Sequence, residues 1–247
     1  MADYTLVSPM AGRGSRFAKE GFELPKPLID LAGRPYFWWA TESVRRVAPV
    51  GEMVFVVLEE HVGSFGIDRR IREFYPDARI VAIADVTSGA AETARIGLEA
   101  VQGGGPVAVN DCDHAFICPA LADVLDRLVE DVAGGLMCFR SSDPAYSYVQ
   151  LDGAGEVVGT VEKKVASPLA IAGCYMFANR GVFEDAYRTY REDCPYDELF
   201  VSGLYDLMAK RGQRVVTVEA AQHCSFGTPA ERARISAESF RRFAGWL

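Results

Sequence analysis

The sequence predicts an α/β protein with a doubly wound, mainly parallel sheet and a smaller β-rich second half. Through about residue 140, short apolar runs alternate with helical patterns, as in the strand–helix units of a parallel sheet. The run Glu52–Glu59 (EMVFVVLE) is continuously apolar inside, as expected for a strand covered on both faces. After Ser141 the residues alternate around an Asp-Gly turn, which is typical of a β-hairpin.

The first half alternates regularly between strands and helices. Strands are predicted at Tyr4–Met10, Glu52–Glu59, Ala78–Ala84, Pro106–Asp111 and Gly135–Arg140. Helices are predicted between them at Pro35–Val47, Ile67–Phe74, Ala90–Val101 and Pro119–Glu130. Proline in the first turn supports the start at Pro35, because no backbone N–H is needed there.

The second half begins with the hairpin over Ser147–Lys164. A strand at Leu169–Ala178, helices at Gly181–Tyr190 and Leu199–Lys210 and a strand at Gln213–Ala220 follow. The C-terminal helix begins with a capping box of Thr228, Pro229 and Glu231. With no linker or repeat, residues 1–247 read as one domain, divided at about 140 into an α/β half and a β-rich half that ends with the C-terminal helix.

Composition excludes several functional classes. A formal charge of −8 on 247 residues argues against nucleic-acid binding. Neither a signal peptide nor an apolar run near the roughly 18 residues of a membrane span is evident. The six cysteines form no CxxC and, with three histidines, fit no standard zinc pattern. Reduced thiols in a cytoplasmic protein are therefore expected.

The loop Ser8–Leu28 (SPMAGRGSRFAKEGFELPKPL) is the strongest candidate for a binding site. It is no Walker P-loop, and Phe17 takes the place of the third glycine of the dinucleotide fingerprint, which disfavours a dehydrogenase. Small residues let backbone N–H groups approach an anion, and Arg16 offers a planar fork to phosphate. Lys26 is fixed between two prolines. A mobile loop with incidental charges is the alternative.

The motif MAGRGSRF…PKPL resembles the G-x-G-[ST]-R…P-K signature of the sugar-phosphate nucleotidyltransferases. The resemblance implies a Rossmann-like, glycosyltransferase A-type sheet and a reaction of an NTP with a phosphorylated acceptor, assisted by Mg²⁺. It implies that Arg16 and the Gly12–Ser15 amides hold the β and γ phosphates and that Lys26 neutralises the α-phosphate. The nucleotide-binding residues it implies in this loop are Met10, Ala11, Gly12, Arg13, Gly14, Ser15, Arg16 and Lys26.

A second matching segment is Thr87–Gly97 (TSGAAETARIG). In the family a Gly- and Ala-rich helix start lies against the base and ribose. The resemblance therefore implies close approach at Gly89 and a hydrogen bond to the base from Thr87 or Ser88. The alternative is an ordinary helix start capped by Ser88.

A third segment, VAVNDCDHAF, implies the metal site. Asp113 takes the place of the family's Mg²⁺-binding aspartate, and Asp111 completes a pair that resembles the DxD of glycosyltransferases. Carboxylates at a strand end suit magnesium, which prefers oxygen ligands and is shared with phosphates. Alternatively, Asp111 and His114 only cap a turn.

The segment TVEKKVAS…AIAGCYMF resembles the family's E-K-P followed by a glycine. It implies that Glu162 binds acceptor hydroxyls, Lys163 binds the acceptor phosphate and Gly173 lines the acceptor pocket. Lys164 replaces the proline, so either lysine could serve. The alternative is a solvated charged surface.

The family's second metal aspartate, in W-x-D-T-G-T, has no counterpart before Gly227, which leaves Asp111 as a candidate. This feature and the short chain favour compact cytidylyl-type members of bacterial surface-polysaccharide pathways, so CTP is favoured, with dTTP and UTP as alternatives. An NDP-sugar-dependent glycosyltransferase and a non-catalytic nucleotide-binding protein are the competing interpretations.

The aromatic run Tyr36–Trp39 indicates helix core or a homo-oligomer contact. Asp197 and Glu198 suit either the acceptor pocket or an acidic helix start.

Overall fold

The structure is a computed structural model that describes residues 3–236 together with 238, 240, 243 and 245. The described strands are β1 (Tyr4–Pro9), β2 (Asp30–Leu31), β3 (Arg34–Pro35), β4 (Val50–Leu58), β5 (Arg79–Ile83), β6 (Val107–Asn110), β7 (His114–Ile117), β8 (Gly134–Arg140), β9 (Ser147–Leu151), β10 (Val157–Glu162), β11 (Leu169–Phe177), β12 (Val215–Glu219) and β13 (Gln222–Ser225).

The described helices cover the faces of the sheet and its ends. They are α1 (Ser15–Lys19), α2 (Tyr36–Arg45), α3 (Glu59–Phe65), α4 (Ile67–Phe74), α5 (Ala90–Glu99), α6 (Leu121–Glu130), α7 (Arg180–Asp193), α8 (Val201–Lys210) and α9 (Pro229–Arg234), with a 3₁₀ turn at Lys26–Leu28. Among the described residues, no helix is long and apolar enough to cross a membrane.

The central sheet has the order β10-β9-β11-β6-β1-β4-β5, with β8 and β12 continuing from β11. Strand β1 pairs in parallel with β4 and β6, and β4 pairs in parallel with β5. Strand β11 is antiparallel to β6 and β8, so the second half joins the same sheet. The predicted mainly parallel α/β sheet is confirmed. The division into two halves at about 140 stays a prediction.

Alternation along the central strands creates two cores. Val7 and Val109 belong to the core that contains residues of α5, α7 and α8. Leu6 and Ala108 point to the opposite core, which contains residues of α2 and α6. Successive side chains of a strand face opposite sides, so both faces of β1 and β6 are covered, which is why these strands are apolar throughout.

Most predicted elements are present, with ends shifted by a few residues. The helix predicted at Pro35–Val47 runs over Tyr36–Arg45, and Tyr36, Phe37 and Trp39 are buried in it. These aromatic residues are core, so the predicted homo-oligomer receives no support from them. The pattern missed α3 and the small antiparallel pair of β7 with β13, because that pairing joins segments more than 100 residues apart.

The capping box predicted at the start of the last helix is confirmed. The Thr228 side chain accepts a hydrogen bond from the Glu231 N–H, and the Glu231 carboxylate accepts one from the Thr228 N–H. Helix α9 ends at Arg234. The predicted continuation of that helix falls mostly on residues outside those that the structure describes.

Candidate active site

A cleft of about 690 Å³ opens where β1 and β6 end. Ligands of open α/β sheets bind at the carboxyl ends of the strands, so this is the expected place. Three predicted segments meet there. Its walls include Met10, Ala11, Gly12, Arg13, Ser15, Lys26, Thr87, Ser88, Gly89, Asp111, Cys112, Asp113, Asp197 and Glu198.

An ion pair lies at the bottom of this cleft. Lys26 Nζ is 2.7 Å from Asp113 Oδ2, and their side chains are 27% and 15% exposed. Burial alone would lower the pKa of Lys26, but the Asp113 carboxylate raises it. Burial would raise the pKa of Asp113, yet Lys26 and His114 lower it to about 2. Both groups are therefore charged across the physiological pH range.

Asp111 is the second carboxylate of the cleft. Its N–H donates to the Gly173 carbonyl at 2.8 Å, which fixes the turn after β6. Burial and the neighbouring charge of Asp113 raise the pKa of the Asp111 carboxyl. A cation beside the pair would relieve this repulsion, and the donor set is the oxygen chemistry that magnesium prefers.

No group of three or more histidine, cysteine, aspartate or glutamate side chains suited to a metal exists in the part of the chain that the structure describes. A metal ion here would therefore have one or two carboxylates from the protein, with its remaining ligands from substrate phosphate and water. Asp111 and Asp113 fit that arrangement, and their role as ligands stays a prediction.

The opening loop places some of its predicted residues in the cleft and others outside. The backbone turns at Gly14, in the left-handed region with φ 61°, and α1 follows. A Cβ at Gly14 would lie 3.1 Å from Lys26 Cβ, so this glycine lets the two ends of the loop pack together. Arg16 is exposed on α1 and is not among the cleft-lining residues. Its phosphate-binding role stays a prediction without support from the cleft.

The Thr87–Gly89 segment forms the opposite wall, at the start of α5. Gly89 is the N-cap residue and has no side-chain cap, so the alternative of capping by Ser88 is wrong. Ser88 instead donates from its N–H and its hydroxyl to Glu92 Oε2, at 2.8 and 2.5 Å. A Cβ at Gly89 would lie 2.5 Å from the Leu199 backbone nitrogen, so the chain itself requires glycine there.

Leu199 belongs to the loop before α8, which closes this side of the cleft. Its N–H donates to the Ser88 carbonyl, and its carbonyl accepts from the Ala91 N–H, both at 2.9 Å. Asp197 and Glu198 therefore reach the cleft rim. Helix α8 begins only at Val201 and has no acidic residue in its first turn. The interpretation of an acidic helix start is wrong for these two residues.

The predicted acceptor residues lie beside this cleft rather than in its lining. Glu162 ends β10 and lines a neighbouring cavity of about 220 Å³ with Tyr196 and Ser202. The Ser202 hydroxyl donates to Glu162 Oε1, and burial raises the pKa of the Glu162 carboxyl. Lys163 is exposed, and its Nζ lies 5.4 Å from the centre of the Phe200 ring.

Gly173 lies on β11, where a bulge with φ 68° turns the strand toward the metal candidates. A Cβ there would be 2.8 Å from His114 Cδ2 and 3.1 Å from Asp111 Oδ2. The position must be glycine because Asp111 and His114 pack against it. This packing, in the described structure, accounts for the residue independently of any acceptor pocket.

The sequence did not place Tyr146, His223 or Glu231 near the site. The structure brings all three close to it. His114 Nδ1 and His223 Nε2 are 2.7 Å apart, because β7 and β13 pair. Burial, then the neighbouring His114, lower the pKa of His223 to about 2. Both rings are neutral at physiological pH. The capping-box pattern predicts the contact of Glu231 with Thr228. It does not predict the contact of Glu231 with Tyr146 or that of His223 with His114.

Residues 10–173, well over half of the chain, match the sequence model of the family described as MobA-like NTP transferase domain. The bifunctional protein GlmU of Pelotomaculum thermopropionicum is 28% identical over 225 residues, which cover 86% of this chain and 46% of that protein. The chain thus spans about half the length of that relative.

Two further matches agree. The 2-C-methyl-D-erythritol 4-phosphate cytidylyltransferase of Nitrosomonas eutropha is 27% identical over 167 residues, 65% of this chain and 67% of that protein. The crystal structure of a nucleoside-diphosphate-sugar pyrophosphorylase from Vibrio cholerae RC9 is similar with a TM-score of 0.78 at 24% identity, covering 92% of this chain and 98% of that one. This likeness supports the fold class.

Proposed function

The chain belongs to the family of MobA-like NTP transferase domains, and on that premise we propose that it joins an NTP to a small phosphomonoester and releases pyrophosphate. The single observation that carries the proposal is the contact of Lys26 with Asp113 at 2.7 Å in a cleft shared with Gly12 and Thr87. A cation held beside a carboxylate, in the cleft where β1 and β6 end, suits a triphosphate and its counter-ion.

The reaction needs little from acid–base groups. An acceptor phosphate oxygen attacks the α-phosphorus, the bond from that phosphorus to the bridging oxygen breaks, and pyrophosphate leaves with the electron pair. A phosphomonoester is largely dianionic at neutral pH, since its second pKa is about 6. No general base is required, and burial lowers the pKa of His114 and of His223, so both imidazoles are weaker bases than an exposed histidine. Placement and charge neutralisation are the protein's task.

The residues of the cleft divide this task. Lys26 would neutralise the α-phosphate, and the backbone of Gly12 and Arg13 would face the leaving pyrophosphate. Asp113 and Asp111 would hold Mg²⁺, which when bound supplies further neutralisation of phosphate oxygens. Thr87 and Ser88 would contact the base, and Lys163 would anchor the acceptor phosphate, with Glu162 toward its hydroxyls.

The substrates are proposed more narrowly. We favour CTP, with dTTP and UTP as alternatives, and a phosphorylated sugar or other small alcohol as acceptor, in bacterial surface-polysaccharide synthesis. The relative named as a cytidylyltransferase for 2-C-methyl-D-erythritol 4-phosphate supports this choice of nucleotide. Family membership favours a nucleotidyltransferase over a glycosyltransferase. The two activities differ in that a glycosyltransferase releases no pyrophosphate from an NTP.

A matrix of substrates tests the proposal. The purified chain is incubated with Mg²⁺, each of CTP, UTP, dTTP, ATP and GTP, and each of 2-C-methyl-D-erythritol 4-phosphate, sugar 1-phosphates and alcohol phosphates. Release of pyrophosphate that depends on both substrates is expected, and the Asp113→Asn variant should reduce it strongly. Nucleotide binding without pyrophosphate release from any pair would contradict the proposal and favour a non-catalytic binding protein.

A further inference from the structure

We propose that Glu231 is a positioning residue that, through the Tyr146 hydroxyl, sets the distance between the acceptor-anchoring Lys163 and Asp113. Glu231 Oε1 accepts hydrogen bonds from the Tyr146 hydroxyl at 2.5 Å and from Ser225 Oγ at 2.7 Å. Its other oxygen accepts from the Thr228 N–H at 2.8 Å and from the Thr228 hydroxyl at 3.0 Å. One carboxylate thus joins Tyr146 to the stretch from Ser225 to Thr228.

The capping box accounts for only half of these bonds. A glutamate at the third position of a helix reaches back to the N-cap residue, which here is Thr228. The bonds from Tyr146 and Ser225 go beyond a helix cap. Tyr146 lies 85 residues away, just before the β9–β10 hairpin. We call the contacts of Glu231 with Tyr146 and Ser225 the junction. Charged acceptors form stronger hydrogen bonds than neutral ones, so a carboxylate is well suited to hold it.

On one side the junction reaches Asp113. The Phe226 N–H donates to the Asp113 carbonyl at 2.9 Å. A Cβ at Gly227 would lie 2.7 Å from Asp113 Oδ2 and 3.5 Å from Glu231 Oε2. The turn that Glu231 holds is therefore packed directly against the carboxylate that contacts Lys26.

On the other side the junction reaches Lys163. The Lys163 N–H donates to the Tyr146 carbonyl at 3.1 Å, and Lys163 has φ 52°, in the left-handed region. An unfavourable backbone conformation persists only where the surroundings determine it. The backbone of Tyr146 thus fixes Lys163, while its side chain is fixed by Glu231.

A row of rings supports the same connection. The Tyr146 ring packs edge-on against Phe139 at 5.0 Å, and Phe139 stacks on His223 at 3.7 Å. His223 in turn contacts His114, beside Asp113. Removing only the Tyr146 hydroxyl leaves this packing in place, so a Tyr146→Phe variant tests the polar link without creating a cavity.

This inference rests on the proposed function, because it concerns the placement of the acceptor phosphate relative to the nucleotide. In a reaction without a general base, rate depends on the alignment of the two phosphates, and small displacements have large effects. The link from Lys163 through Tyr146 and Glu231 to the turn beside Asp113 connects the proposed acceptor anchor with the proposed metal-binding carboxylate.

The test compares Tyr146→Phe with Tyr148→Phe. Tyr148 is on the same hairpin, and its hydroxyl donates to the Asp143 carbonyl at 2.8 Å, within the same segment. The probes are CTP and whichever phosphomonoester of the matrix gives the highest wild-type rate. Tyr146→Phe should raise the acceptor KM about tenfold, by loss of one bond to a charged group, with unchanged CTP affinity. Tyr148→Phe should leave both values near wild type. Equal acceptor KM values for wild type and Tyr146→Phe would overturn the proposal.

Hydrogen exchange of the protein alone separates this inference from the proposed function. In Tyr146→Phe the amides of Lys163 and Phe226 should exchange faster together, whereas Tyr148→Phe should leave the Phe226 amide unchanged. If wild type releases no pyrophosphate from any substrate pair, the proposed function fails, and exchange still decides the link. Unchanged exchange at both amides in Tyr146→Phe would refute the link whatever the activity.

Discussion

Replacing Lys26 with methionine removes the ammonium group from Asp113 while keeping a side chain of similar length. The expected result is a folded protein whose kcat for pyrophosphate release falls by about 10²–10³. The physical reason is that, under the proposed function, Lys26 neutralises the α-phosphate, and its contact with Asp113 already holds it in place, so it needs no reorganisation during the reaction. Methionine keeps the packing of this segment between its two prolines but supplies no charge.

The magnitude follows from the contact. At 2.7 Å and an effective dielectric constant of about 20, the attraction of two unit charges is roughly 6 kcal/mol. Desolvation and the 27% and 15% exposure of the two side chains reduce the net value. Loss of one preorganised stabiliser of transition-state charge is measured elsewhere at about 2.7–4 kcal/mol. A rate loss of 10²–10³ lies within that range.

The assay is coupled pyrophosphate release with CTP and the best phosphomonoester of the matrix. Lys19→Met is the matched control, because Lys19 is an exposed lysine on α1 in the same loop, and its turnover should remain near wild type. Circular dichroism verifies that Lys26→Met is folded. Turnover by Lys26→Met within about threefold of wild type, at saturating substrates, would refute the role of this cation.

Two further predictions concern stability. Gly89→Ala would place a Cβ 2.5 Å from the Leu199 nitrogen and should lower the free energy of unfolding in urea by about 1–3 kcal/mol. The control Gly153→Ala has open space around the new Cβ and should change the free energy of unfolding by less than about 0.5 kcal/mol. Equal values for the two variants would contradict the packing argument. Burial and Asp113 raise the pKa of Asp111, so its carboxyl lowers the free energy of unfolding as pH rises from the unfolded pKa through the folded one. Without divalent ions, Asp111→Asn should therefore raise the melting temperature at pH 8 but not at pH 4, and an equal effect at both pH values would show that charge is not the cause.

Local sequence was sufficient for most of the strands and helices and for the cationic loop, but not for α3 or for the β7–β13 pair. The apolar runs of β4 and β6 and the residues around Lys26 each carry their own signal, because burial, helix starts and proline-fixed turns depend on neighbouring residues. The position of Asp113 past a buried strand also followed from local pattern. These predictions agree with the described elements and with the contact of Lys26 and Asp113.

The sequence could not show why glycine is required at particular positions, or which residues the aromatic side chains contact. Gly89 is explained by the Leu199 backbone and Gly173 by Asp111 and His114, contacts that join distant segments. Arg16 matches the motif yet lies outside the cleft lining. A motif gives residue types in order, and side-chain direction is decided by the helix on which a residue is placed.

Local hydrophobic period and backbone restriction were enough to predict an α/β sheet, a cationic glycine-rich loop after its first strand and an acid just past a later strand. The contact of Glu231 with Tyr146, next to the turn that packs on Asp113, is visible only in the folded chain. That junction depends on the β7–β13 pairing and on the hairpin folding back over it. Contacts between segments so far apart follow from the way the whole chain packs, and no local pattern specifies them.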